Sequence, residues 1–201
     1  MDVMGKKGKY NKLRKNYLLL SKGASYMNVK IDEKTITTDR LYMRKVSLED
    51  IDVIYNIVKQ DTVGKWLAAS RGMTKEEAKI YVEKFVDHWN LYGFGVWAVL
   101  NKSTGGIIGH CGLRYVDQKE DEVEIMYLLD PASWGSGYAT EAAKASIQYA
   151  ANSMGIKKLI ARIKITNDKS KKVLETLGFQ FAYDKDYPGK KLSHYEMKLK
   201  S

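Results

Sequence analysis

The chain has 201 residues, 44% of them hydrophobic, a single cysteine and a formal net charge of +10. That length and apolar content suffice for one sizeable core, and one cysteine excludes an internal disulfide framework. No apolar run approaches the ~20 residues of a membrane span, and Tyr17-Leu-Leu-Leu20 is too short for a signal-peptide core, so a cytoplasmic protein is expected.

Most of the charge lies in residues 1–26, where seven basic residues (Lys6, Lys7, Lys9, Lys12, Arg14, Lys15 and Lys22) stand against Asp2. This segment reads as a basic, flexible arm ahead of a domain spanning 27–201, and Met27 offers an alternative start. Two readings of the arm stand: an electrostatic contact with ribosomal RNA, the ribosome or another anionic partner, and a solvated leader with no role.

The domain itself alternates helical and strand periods. Arg40–Val46 predicts a first strand, and Ser47 with Asp50 caps a helix running to about Lys59. After a loop, Thr74-Lys-Glu-Glu77 forms a capping box for a helix whose apolar stripe is Ala78, Tyr81, Val82, Phe85, Val86 and Trp89. Val96–Leu100, Gly106–Tyr115 and Glu122–Leu129 predict three strands with turns at Lys102–Gly105 and Asp117–Asp121, an antiparallel meander. A helix from Tyr138 to Asn152, a strand over Lys158–Ile165 and a helix capped by Asn167 and ended at Gly178 follow. Strands at Phe179–Tyr187 and Leu192–Leu199 flank a Pro188-Gly189 turn. The class is mixed α/β: a mostly antiparallel sheet of six to seven strands flanked by about four helices.

Between the strand ending at Leu129 and the helix starting at Tyr138 lies Trp134-Gly-Ser-Gly-Tyr-Ala139. Gly135 and Gly137 permit positive φ and close backbone approach, and the helix behind them aims its free N–H groups and positive dipole end at the same place. That combination suits a pyrophosphate. No lysine follows Gly137 before Lys144, which excludes a Walker loop, and Thr140 stands where a dinucleotide fingerprint has its third glycine. Taken alone, the loop is equally well a plain helix cap.

A second segment, Asn167-Asp-Lys-Ser170 through Leu177-Gly-Phe179, follows the strand at Lys158–Ile165. With Thr38-Asp-Arg-Leu-Tyr-Met-Arg44, Ile107-Ile-Gly-His-Cys-Gly112, Glu124-Ile-Met-Tyr127 and the Trp134–Ala142 loop, it resembles the Gcn5-related N-acetyltransferase (GNAT) superfamily. Within it, the likeness is to the RimJ/RimL branch of ribosomal-protein N-terminal acetyltransferases. Trp134 departs from the Gln or Arg common in the wider superfamily.

The resemblance implies the GNAT acyl-CoA N-acyltransferase fold and acetyl-CoA as co-substrate, with no metal. The co-substrate would lie in a cleft where the fourth and fifth strands splay apart, commonly at a β-bulge in the fourth. Backbone groups of Met126, Tyr127 and Leu128 would bond its pantetheine arm, and Trp134, Gly135, Ser136, Gly137, Tyr138, Ala139 and Thr140 would hold its pyrophosphate. Asn167 and Ser170 would stand on the opposite wall. An amine, foremost the N-terminal amine of a protein or peptide, would attack the thioester directly; polyamines, amino sugars, antibiotics and amino-acid derivatives are alternative acceptors.

Glu124 is the candidate base, with a pKa raised by enclosure; Glu122, two residues away on the same strand face, and water are the alternatives. Ser170 is the candidate hydrogen-bond donor to the departing thiolate, because Leu174 occupies the position where many relatives carry tyrosine. The same features admit a non-catalytic acyl-CoA sensor or ribosome-associated module, and either a monomer or a homodimer. Cys111 reads as a small buried side chain rather than a nucleophile, and His88, His110 and His194 share no metal motif, although His194 is placed to line the acceptor pocket. Trp66, Tyr92, Phe94 and Trp97 are core aromatics or walls of that pocket.

Overall fold

The computed structural model describes residues 34–116 and 122–199. The arm at 1–26 and the turn at Asp117–Asp121 lie outside the described residues.

Among the described residues, eight strands form one sheet: β1 (Ile36–Thr37), β2 (Leu41–Lys45), β3 (Val96–Asn101), β4 (Ile107–Tyr115), β5 (Val123–Leu129), β6 (Lys158–Lys164), β7 (Gln180–Tyr187) and β8 (Lys190–Lys198). Their order is β1-β2-β3-β4-β5-β6-β8-β7, and every pairing is antiparallel except β5 with β6. The meander expected from three strands joined by two short turns is therefore present. Five α-helices among the described residues accompany it: α1 (Ile51–Val58), α2 (Asp61–Gly64), α3 (Lys75–Tyr92), α4 (Tyr138–Met154) and α5 (Asp168–Leu177). The sheet has one strand more than the six or seven expected, the two-residue β1, and the helices one more than about four, the single-turn α2. The segment after Ser47 begins as a 3-10 turn, Leu48–Asp50, before α1.

The helices take opposite faces because adjacent strand residues point to opposite sides. On β4, His110 meets Tyr81 of α3 at 2.8 Å, whereas its neighbour Cys111 meets Ser146 of α4 at 3.6 Å. α3 starts where its capping box closes: Glu77 N–H donates to Thr74 Oγ1 at 3.2 Å and Thr74 N–H to Glu77 Oε2 at 2.8 Å. It stops at Gly93, whose φ of 73° ends the helix at no Cβ cost. Its stripe of Ala78, Val82, Phe85 and Trp89 is buried. On the other face Trp97 is fully buried and packs edge-on against Tyr149 of α4 at 5.1 Å. Leu41, Met43, Leu113, Leu159 and Leu174 are equally enclosed, and each such side chain contributes roughly 1.5–3 kcal/mol by leaving water.

Two features of the sheet position the site. β5 and β6 pair only at Val123↔Leu159 and Glu124↔Ile160. β6, in contrast, keeps a seven-residue register with β8. The sheet therefore divides into a leaf of β1–β5 and a leaf of β6, β8 and β7, joined at two residue pairs and open beyond them.

Candidate active site

Past Glu124, the side of β5 that faces β6 has no partner strand, so backbone N–H and C=O groups from Ile125 to Leu129 border a cleft instead of a ladder. The strands splay as expected, but not at a bulge in β5. The β4–β5 register runs unbroken from Gly109↔Leu129 to Tyr115↔Val123, and the irregularity lies in the neighbouring β3–β4 pairing, where Val99↔Gly109 is followed by Leu100↔Ile107. Divergence comes instead from β6 following β8. The resulting cleft has a volume of about 1300 Å³, and Met126, Tyr127, Leu128, Asn167 and Ser170 all line it.

At the end of β5, Asp130 accepts from Ala132 N–H at 2.9 Å and turns the chain through a 3-10 turn, Pro131–Ser133. Trp134 then donates its indole N–H back to Leu129 O at 2.8 Å, and Lys169 Nζ sits 4.7 Å over its ring. Gly135 and Gly137 have φ of 77° and 79°, so both adopt the left-handed conformation that favours glycine. α4 makes its first backbone bond from Glu141 N–H to Gly137 O at 3.0 Å. The N–H groups of Tyr138, Ala139 and Thr140 precede it and have no acceptor within the helix. Of the loop's expected contacts, Trp134, Gly135, Gly137, Tyr138, Ala139 and Thr140 line the cleft. Ser136 does not; its carbonyl is turned to Arg40 Nη1 at 2.8 Å.

Arg40 was not expected at this site. Its Nε donates to Glu141 Oε2 at 2.7 Å and its guanidinium stacks 4.5 Å over the Tyr138 ring. Glu141 lies in the first turn of α4, where its charge would repel an anion less if neutralised. Burial pushes the Glu141 carboxyl up, but the Thr38 hydroxyl and Arg40 outweigh burial and hold it ionised below its usual range.

On the opposite wall Asn167 is buried and its Oδ1 accepts from Ser170 N–H at 3.1 Å, which caps α5 and leaves its NH2 donors for other partners. Tyr127 Oη donates to Ser170 O at 3.2 Å. Tyr127 thus contributes its side chain as well as its backbone to the site, and burial pushes its phenol pKa up. Leu174 is wholly buried in the core.

Glu124 is where expected and is paired differently from the expectation. It is 4% exposed. Arg114 reaches its Oε2 through Nε at 2.8 Å and Nη2 at 2.7 Å; Arg162 reaches Oε1 through Nε at 2.8 Å and Oε2 through Nη2 at 2.9 Å. Burial alone would raise its pKa, but the two guanidiniums outweigh burial and hold the carboxyl below the usual carboxylate value. The expected raised pKa is therefore reversed. Nor do the two glutamates sit together: Glu122, exposed and just ahead of β5, pairs with Lys158 at 3.6 Å.

The other candidates sort cleanly. Cys111 is buried, and burial pushes its thiol up to about 12, so it is a packing residue. Trp66 lines the cleft, whereas Phe94 and Trp97 are core and Tyr92 packs among His88, Phe94 and Tyr115. His194 stacks on Tyr183 at 4.4 Å and meets Tyr187 Oη at 3.1 Å, and Tyr187 rather than His194 lines the cleft. Among the described residues no group of three or more His, Cys, Asp and Glu side chains could hold a metal ion, and no helix is long and apolar enough to cross a membrane.

The family model described as "Acetyltransferase (GNAT) domain" matches residues 40–180. The "Uncharacterized N-acetyltransferase p20" of Bacillus licheniformis is 30% identical over 148 residues, 73% of this chain and 83% of that protein. A solved acetyltransferase from Salmonella typhimurium, described as modifying the N-terminal serine of 50S ribosomal subunit protein L7/L12, superposes with a TM-score of 0.70 over 83% of this chain and 99% of that one, at 15% identity. A RimL ribosomal L7/L12 alpha-N-protein acetyltransferase solved in complex with coenzyme A gives a TM-score of 0.71 over 82% of this chain and 98% of that one, also at 15% identity. At 15% identity these two structures are alike in fold alone.

Proposed function

The chain belongs to the GNAT acetyltransferase family, and from that membership we propose that it transfers the acetyl group of acetyl-CoA to a primary amine within a ternary complex, its leading acceptor being the N-terminal amine of a protein or peptide. The observation that carries this reading is the meeting of an unpaired β5 edge with a positive-φ glycine loop at the head of α4, a backbone lining for pantetheine beside a seat for pyrophosphate. The residues present fit the group. Met126, Tyr127 and Leu128 would bond the pantetheine arm through their backbone, Asn167 would face it, and the loop from Trp134 to Thr140, apart from Ser136, would hold the phosphates.

When bound, acetyl-CoA supplies an acyl carbon activated by a sulfur leaving group. The neutral amine nitrogen attacks that carbon, the C–N bond forms as the C–S bond breaks, and the sulfur departs as a thiolate. Ser170 donates a hydrogen bond to the thiolate as its charge develops. The amine proton passes to water, because Glu124, its oxygens engaged by two guanidiniums, is a weak proton acceptor. Its part is to position Arg114 and Arg162. The cations gathered around the acceptor disfavour an ammonium and favour the neutral, nucleophilic amine. The N-terminal acceptor rests on the likeness to RimJ/RimL enzymes, the catalytic domain spans 27–201, and the protein works in the cytoplasm. Incubation with acetyl-CoA and a panel of peptides, polyamines and small amines, read by mass spectrometry, tests the proposal. Acetylated peptide supports it, and no acetylated product from any amine overturns it.

A further inference from the structure

The acceptor half of the cleft carries more positive charge than its own carboxylates balance. Arg162 and Lys164 alternate on β6 and so share the face on which Glu124 lies across the β5–β6 pair. Arg114 stands directly opposite Glu124 in the β4–β5 register. Lys190, at the start of β8, completes the group, and all five side chains line the cleft. One buried carboxylate thus faces these four cations, and Lys84, Lys169 and Lys172 also line the cleft. Glu77 on the same wall adds nothing to the balance, since Arg71 grips both its oxygens at 2.7 and 2.8 Å.

The arrangement is fixed. Glu124 pins each of the two guanidiniums through two contacts, out of the five N–H donors that an arginine brings, which leaves donors on both in set positions. Lys164 is likewise anchored, to Lys65 O and Ser70 Oγ, both at 2.6 Å. Burial first and then the charge of Lys190 pull the Lys164 pKa down. A preorganised, partly enclosed cationic wall selects an anion and rejects a second cation.

We propose that the acceptor carries a carboxylate close to its reacting amine, bound by Arg114 and Arg162 around Glu124 with Lys164 and Lys190 at the rim. This rests on the acetyl-transfer reading above and narrows its acceptor: a peptide with an acidic residue near its N-terminus fits, and a polyamine does not.

Three matched acceptors test it: the dipeptide amides Ala-Glu, Ala-Gln and Ala-Lys, which differ only in the second side chain. The expected order of kcat/KM is Glu above Gln above Lys, with the acid favoured over its amide by about 10–100-fold, the range for charge-assisted hydrogen bonds, and with the advantage shrinking as salt is raised. Arg162→Gln should bring the Glu/Gln ratio towards one, and Arg162→Lys should restore part of it. Because Arg162→Gln leaves Glu124 half paired and endangers folding, Lys190→Ala serves as a second variant, expected to lower the ratio by about 3-fold. Binding of the same peptides to the coenzyme A-loaded protein, measured by calorimetry, reads the preference without turnover. Equal rates and equal binding for Ala-Glu and Ala-Gln would overturn the inference and leave acetyl transfer standing. A preserved binding preference with no transfer to any peptide would uphold the inference and count against the proposed activity.

Discussion

Arg40 Nη1 and the carbonyl oxygen of Ser136 meet at 2.8 Å, so a side chain at the beginning of the sheet's meander sets the orientation of a peptide group in the glycine loop. With that carbonyl drawn outward, the loop presents N–H groups rather than oxygen to the cleft. Arg40→Ala should therefore weaken acetyl-CoA binding by about 5–20-fold, a modest effect because the arginine side chain is 47% exposed. Calorimetric titration of the variant with acetyl-CoA checks it, and unchanged affinity would remove Arg40 from the loop's support.

Gly137→Val is the sharper test of the phosphate seat. Gly137 has φ of 79°, which a β-branched residue adopts only with strain, and its Cβ would stand 3.4 Å from Arg40 Nη2. Acetyl-CoA at 100 times its Kd stabilises a binding-competent protein by about 2.7 kcal/mol. The wild type should show the corresponding rise in Tm and Gly137→Val should not. A normal shift in the variant would refute the loop as the phosphate site.

Glu124→Gln separates a positioning role from a proton-accepting one. Removing the charge leaves two guanidiniums side by side, and a loss of about 2–3 kcal/mol is expected, the lower range for a buried pair because Arg114 is 40% exposed. Acceptor kcat/KM should fall about 10–100-fold, mainly through KM, with the acidic limb of the pH–rate profile in place. Disappearance of that limb with KM unchanged would assign the amine proton to Glu124 after all.

Stability should fall as the solution is acidified from pH 6.5, before any carboxylate titrates. Burial lowers the pKa of His110 to about 3 and, less far, that of His88, whose Nε2 accepts from Tyr115 N–H at 3.0 Å. Both are depressed in the folded state, so the unfolded chain binds more protons below 6.5, and the stabilisation present above that pH is lost on going down. Each contributes a slope of up to about 1.4 kcal/mol per pH unit between 6.5 and its folded pKa. Urea unfolding between pH 6.5 and 5 should show this slope in the wild type and a shallower one in His110→Leu; parallel slopes would exclude His110 as the source.

The parts of this molecule legible in its sequence are those fixed by neighbours along the chain. The Thr74–Glu77 box, the α3 stripe and the glycines at 135 and 137 each follow from local sterics and hydrogen bonding, and each is where its residue types require. β1 and α2 escaped because two and four residues carry no period. The Arg114–Glu124–Arg162 cluster escaped for a different reason. It depends on the registers of β4 with β5 and of β5 with β6, and the second pairing crosses the whole of α4. A lone arginine within Leu159-Ile-Ala-Arg-Ile163 was the available signal, since a charge in an otherwise apolar strand needs a partner. The expected direction of the Glu124 pKa failed with it: burial is readable from the apolar residues around a carboxylate, and its counter-ions are not.

The two-pair seam between β5 and β6 also governs how the molecule yields to force and to proteases. A sheet laddered along its full length opens as one unit, but here the β6–β8–β7 leaf is joined to the rest by little backbone hydrogen bonding, and its outer strand β7 is exposed along nearly all its length. Local opening of that leaf costs less than global unfolding. A molecule lying in the cleft and bonding both walls would act as a mortar between the leaves, so saturation with ligand should slow proteolytic cutting in the part of β7 remote from Tyr187, the residue of that strand that lines the cleft.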